Sequence, residues 1–223
     1  MPRALTSLKY FAEEAPEYSI CSAGSLLGIA LHEGTLLTVG KVDILTLEPL
    51  TFQEFLLAND EYELLLSLQN SGLEPLPLLL LEKLHDYLKK YFIIGGMPAA
   101  VNIWIEQRDF SQVEIKLKNI LETYQQDFSK HAPRSMVPKL RFIWNSIPSQ
   151  LTRKNKKFLY GLVKSGARAR EYEDALLWLL DCGLIRRVGR ITKGAIPMKP
   201  DEDLHDFKIY HLDVGLLRVM SQL

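Results

Sequence analysis

From residue 60 to residue 181 apolar side chains recur at helical spacing with few breaks, and strand-like segments stand only towards the two ends. That distribution leaves no room for a large central sheet and predicts an α+β, predominantly α-helical fold. On the N-terminal side, residues 2–14 carry Leu5, Leu8, Phe11 and Ala12 at helical spacing, with Pro2 at a first turn and Pro16 just past the end. Residues 18–23 then read as a short strand running into Gly24 and Ser25, with Ser25 as the cap of a helix "LLGIAL". Residues 35–50 alternate loosely, with "VDILTL" as the strand core. Thr51 followed three residues later by Glu54 is a capping-box pattern for the next helix. Helix, strand, helix, strand, helix in about sixty residues is a piece of an α/β sheet and too short to be a whole one. A remnant of one or two strands would have to cover its edges with its own helices or with a second copy of the chain.

The helical middle is punctuated by Gly72, by a proline-bearing joint over 73–77 and by "GGMP" at 95–98. Its helices are expected near 60–71, 78–93, 98–107 and 110–128. Gly95 and Gly96 imply a positive φ or a close backbone approach, as a structural hinge. The last third has another order. Helices are expected over 136–146, 149–164 and about 168–181, with Ser165-Gly166 as the turn between the last two and Gly183 as the final stop. A strand "LIRRVGRI", an excursion "TKGAIPMKPDEDLHD" and a strand "FKIYHLD" follow. That is the order of a winged helix, a helix-turn-helix variant whose third helix commonly enters the major groove. The expected division is therefore 1–72, 73–135 and 136–223.

Charge divides the chain as well. Formal net charge is zero, yet residues 1–129 hold 9 Lys/Arg against 18 Asp/Glu, and residues 130–223 hold 18 against 9. Between 130 and 199 the ratio is 16 basic to 4 acidic, which suits a phosphate backbone. The candidate nucleic-acid contacts are Arg153, Lys154, Lys156 and Lys157, then Arg168 and Arg170, then Arg186, Arg187, Arg190 and Lys193. A solvated face, or a winged helix that binds protein, are the alternatives for the same residues.

Other chemistry is sparse. No G-x-x-x-x-G-K-[ST] stands anywhere in the 223 residues, and Gly95-Gly96 lacks the Lys-Ser/Thr that would follow. Ser22, Ser25 and Lys41 are the sensor-like candidates for a nucleotide phosphate; a helix cap and a surface lysine are the plainer readings of the last two. The five histidines show no H-x-x-x-H spacing and there is no C-x-x-C, so no metal site is assigned. His205, His211 and Asp213 would share one strand face. The carboxylate pairs are sequence neighbours that point apart, so no catalytic residue is assigned either. Cys21 and Cys182 read as reduced core thiols. No run approaches the ~18 apolar residues of a membrane span, and the expected location is cytoplasmic.

Six ordered stretches carry a family resemblance: "PRALTSLKYFAEEAPEYSICSAGSLLGIALHEG", "VGKVDILTLEPLTFQEFLLAND", "YFIIGGMPAAV", "KNILETYQQDFSKHAP", "FIWNSIPSQLTRKNKKFLYG" and "FKIYHLDVGLL". Together they resemble a large prokaryotic family of predicted P-loop ATPases, with an AAA-like core followed by a C-terminal domain of unknown function. The resemblance implies that the phosphate-binding loop and the acidic Walker B strand lie upstream of "PRALTSLKYF". It makes residues 18–23 the sensor strand of a small α/β remnant of that core. It assigns ATP and Mg to the full-length parent, not to this chain, which on that reading hydrolyses no ATP. It also implies an acidic, nuclease-like segment beyond "DVGLL". The load implied for the parent is DNA or a partner protein; a non-enzymatic protein-interaction module and part of a nuclease-linked ATPase are the alternatives.

Overall fold

The computed structural model describes residues 2–24, 41, 43–72, 74–194, 196 and 198–223, with side chains from residue 7 onward. Along the chain come α1 (Pro2–Glu14), α2 (Phe52–Ala58), α3 (Tyr62–Asn70), α4 (Leu78–Ile94), α5 (Pro98–Gln107), α6 (Phe110–His131) and α7 (Val137–Leu151). A one-turn helix α8 (Tyr160–Val163), then α9 (Ala169–Asp181), β1 (Ile185–Ile191), a 3-10 turn (Lys199–Asp201), β2 (Glu202–His211) and α10 (Val214–Met220) complete it. The molecule is mostly helical, with β1 and β2 paired antiparallel as a two-stranded sheet.

Local chemistry accounts for the element ends. Thr51 N–H donates to Glu54 Oε2 (2.7 Å) and Glu54 N–H to Thr51 Oγ1 (3.3 Å), which closes the capping box that starts α2. Asp109 caps α6 through Ser111 N–H (2.7 Å), while Lys130 and His131 face the negative end of its dipole. Helix α9 stops at Gly183, φ +71°, where Gly183 N–H reaches Leu180 O and Leu184 N–H reaches Leu179 O. That pair of bonds is a Schellman close, and its left-handed residue favours glycine.

Burial follows the helical period. Val113, Leu117, Leu121 and Phe128 make one stripe on α6. They meet Leu140, Ile143, Trp144 and Ile147 of α7 and Tyr172, Ala175, Leu176, Trp178 and Leu179 of α9 in a core that runs from Phe55 to Leu216. Aromatic edges pin the three helices together: Phe128 lies 5.6 Å from Trp144 and 5.7 Å from Trp178, ring centre to ring centre. A smaller core of Leu56, Leu64, Leu65 and Leu84 joins α2, α3 and α4. On β2 the inward positions Phe207, Ile209 and His211 alternate with half-buried Lys208 and Tyr210.

Several expectations are corrected. Residues 18–23 form no strand; Tyr18 and Ile20 are exposed and the segment is irregular. Residues 43–47 of the second expected strand are likewise irregular and exposed. A strand needs a neighbour to take its backbone hydrogen bonds, and among the described residues the one sheet is β1 with β2. Among the described residues no helix covers the 18–23 segment, whose side chains are exposed. The expected helix of Ser25 and residues 26–31 lies outside the described residues. The expected helix over 149–164 splits: Pro148 and the next three residues belong to α7, residues 152–159 are a loop, and α8 keeps four residues. The cause is competition for backbone donors, one local and one distant. Lys157 N–H turns back to Asn155 Oδ1 (3.3 Å) and Phe158 N–H donates to Phe207 O (2.9 Å), so these backbone donors are spent outside a helix. Strand β2 begins at Glu202, five residues before the expected start. Cys21 is exposed, not a core thiol; Cys182 is half-buried, and burial pushes its thiol up to about 12.

Candidate functional site

Two places collect the polar groups that sequence reasoning singled out: the junction around Gly95-Gly96 and the basic surface of the last third.

At the junction, the end of α4, the start of α10 and the segment before α2 meet on three glycines. Gly95 has φ +77°, and a Cβ there would stand 2.3 Å from Asp213 Oδ1. A Cβ on Gly96 would stand 2.0 Å from Leu50 O, and one on Gly215 2.4 Å from Ile94 O. Only glycine admits these approaches. Asp213 is buried, accepts Gly96 N–H at Oδ2 (2.7 Å) and caps α10 by accepting Leu216 N–H at Oδ1 (2.9 Å). Burial pushes its carboxyl above the usual range against the pull of those N–H groups. Leu50 N–H donates to Gly96 O (2.7 Å), and Leu50 O accepts from the Tyr91 hydroxyl (2.8 Å). Glu48, just before, forms an ion pair with Arg186 of β1.

His211 lies beneath this junction, its ring 4.8 Å from that of Trp144 and its Nδ1 3.1 Å from Asp213 O. Burial lowers its pKa to about 4. His211 Nε2 and Trp144 Nε1 are buried without a hydrogen-bond partner among the described residues. His211 and Asp213 thus come together as their even spacing implied, while His205 stays exposed. Both Asp213 oxygens are occupied by backbone donors, so the arrangement fixes three segments and leaves no carboxylate free for acid–base work. Sequence reasoning saw Gly95-Gly96 as a hinge but missed its partners. The signal for Asp213 was present: a polar residue after a strand, followed by Val-Gly-Leu-Leu, reads as a helix cap.

An open groove of about 430 Å³ lies beside the junction, walled by Met97, Pro98, Lys116, Ile120 and Tyr124 among others. It brings no carboxylate, histidine or cysteine to one point. Among the described residues no group of three or more His, Cys, Asp and Glu could hold a metal ion. No helix of the described residues is long and apolar enough to cross a membrane.

The ten basic candidates separate into two sets. Lys157 and Arg190 share Asp206, at 3.5 and 3.1 Å, Arg186 pairs with Glu48, and half-buried Arg187 lies over the Phe207 ring at 4.3 Å. Arg153, Lys154, Lys156, Arg168, Arg170 and Lys193 are exposed and make no ion pair among the described residues. The four carboxylates of residues 130–199 are Glu171, Glu173, Asp174 and Asp181, and all four are exposed on α9. Beyond Arg168 and Arg170 at its head, the outer face of this helix is acidic. Of the sensor-like candidates, Ser22 and Lys41 are exposed and lie in no helix or strand, and Ser25 lies outside the described residues.

Residues 85–223 match a family described as a domain of unknown function, DUF8612. The match spans 139 of the 223 residues, counting 85 to 223 inclusive. The chain belongs to this family. Its DUF8612 domain starts within α4 and takes in the three glycines of the junction, the basic loop, α9, the sheet and α10. No curated protein and no solved structure matches the chain.

Proposed function

We propose that this chain is the non-catalytic arm of a P-loop ATPase of the kind its motifs resemble. In this reading residues 1–47 belong with a nucleotide-binding sheet, and the helical body from Glu48 onward carries the load. One observation carries it: Ile44, Leu45 and Leu47, in a β-prone stretch, are 62%, 85% and 87% exposed, while the body from Phe55 on buries its own core. An apolar strand sequence held out in water is one that packs against something other than this body. The glycine junction is the coupling point, because Leu50 is bonded to Gly96 on one side and to Tyr91 on the other.

The described residues do not fit ATP and Mg. Gly96 N–H, the nearest thing to a phosphate donor, is already taken by the Asp213 carboxylate (2.7 Å), and Ser22 and Lys41 share no element. The C-terminal part is read as a winged-helix-like unit of α7, α8, α9, β1 and β2, its second helix cut to one turn. A protein-binding module is a second reading, favoured by the acidic outer face of α9.

The test has two readouts on the pure chain. Phosphate release from ATP with Mg stays at background, and the amides of 18–23 and 43–47 exchange with deuterium within seconds. Measurable turnover, or protection of those amides in the chain alone, overturns the reading.

A further inference from the structure

We infer that the load is duplex nucleic acid, held through its phosphates by the loop of residues 152–157 and the flank of the β hairpin, with α9 kept out of the groove. This deepens the arm reading by naming what the arm would carry.

The loop is a fixed platform. Gln150, before the loop, clamps Leu159, after it, by two bonds, donating from Nε2 to Leu159 O (2.9 Å) and accepting Leu159 N–H at Oε1 (3.0 Å). Phe158, just after it, is buried, stacks on Phe207 at 5.5 Å and donates its N–H to Phe207 O. Lys157 and Arg190 then converge on Asp206, so the loop sits against β2. From this seat Arg153, Lys154 and Lys156 are exposed without a counter-charge. Residues 152–170 hold seven Lys/Arg and no Asp/Glu.

The kind of partner follows from what surrounds these cations. Residues 152–156 are exposed and all polar, which gives no apolar anchor of the sort that dominates protein interfaces. Phosphate contact needs none. Phe158 is buried and Tyr160 half-buried, so neither aromatic at the end of this loop lies open to stack unstacked bases, and a duplex fits better than a single strand. Helix α9 argues against base readout. Arg170 shares its outer face with Glu173, Asp174 and Asp181, which repel the phosphates that flank a groove. Asp201, Glu202 and Asp203 at the hairpin's tip, unlike Asp206 without an ion pair among the described residues, confine the contact to the end nearer the loop.

The experiment is fluorescence anisotropy of the whole chain with two unrelated 20-bp duplexes, a 20-nucleotide single strand and poly-glutamate, from 50 to 200 mM salt. Both duplexes are expected to bind alike, with log affinity falling by about 0.9 per log salt for each phosphate neutralised. The triple change Arg153→Ala, Lys154→Ala, Lys156→Ala should weaken both duplexes about tenfold or more and flatten the salt slope by about 2 to 3. The double change Arg168→Ala, Arg170→Ala should stay within about twofold. The inference falls if the double change costs more than the triple, or if the two duplexes differ more than about tenfold, either of which puts α9 in the groove. It falls equally if poly-glutamate or the single strand binds as well, or if no duplex binds at 50 mM salt. ATP turnover and amide exchange at 18–23 and 43–47 test the arm reading separately, so failure of one is not failure of the other.

Discussion

At the scale of single residues, the glycine junction is where a small change should cost most. A methyl on Gly96 meets a backbone carbonyl, Leu50 O, which cannot swing aside as a side chain would. Gly96→Ala should lose about 2–3 kcal/mol in urea unfolding, and a variant that unfolds at the same urea concentration as the parent would show that Leu50 is not seated there. His211 gives a pH prediction. Its folded pKa, about 4, lies below the ordinary 6.5, so between these values the unfolded chain binds more protons and stability falls as pH falls. Between pH 7 and pH 5 the ring should cost the fold about 2 kcal/mol. Asp213 works the other way, because its raised carboxyl takes up a proton more readily in the fold and offsets acid loss. Comparing the parent with His211→Gln separates the two: the variant should lose clearly less stability over that pH step, and equal losses would dismiss the histidine.

Elements show where sequence and structure part. Helices α4, α5, α6 and α9 were legible because each carries a stripe of apolar residues with a proline, aspartate or glycine at an end, and such signals act within one turn. The capping box of α2 was legible for the same reason. Thr51→Ala should cost about 1 kcal/mol by unfolding, and a cost near zero would mean that the packing of Phe55 and Leu56, not the cap, holds that helix. What failed were the elements whose state depends on distant chain. Residues 150–164 have a helical pattern, but Phe158 is claimed by Phe207 on a strand nearly fifty residues on, and no local pattern contains that contact. Residues 18–23 and 43–47 have strand composition, yet a strand is decided by its neighbour. The candidate site was half legible for a related reason. The basic run stands out as composition, whereas its separation from α9's acidic face appears only when Glu173, Asp174 and Asp181 fall on the side of the helix opposite Tyr172, Leu176 and Leu179.

On the scale of the whole molecule, the burial that stabilises the fold lies in the body from Glu48 onward. The buried core begins at Phe55, and none of the described side chains between residues 7 and 24 is buried. Tyr10, Phe11, Tyr18 and Ile20 are all at least 40% exposed. Since stabilisation by apolar groups follows the area taken out of water, these residues add little to the fold. A chain starting at residue 25 should therefore unfold within about 2 °C of the full chain in a thermal scan, the shift that about half a kcal/mol makes in a domain of this size. It should also keep its duplex affinity, because Arg153, Lys154 and Lys156 sit on a loop tied to α7 and β2 rather than to anything before Glu48. A fall of about 8 °C or more, matching 2 kcal/mol or more, would mean that the first helix packs on the body, and the division into a sheet-bound segment and a load-bearing body would have to be given up.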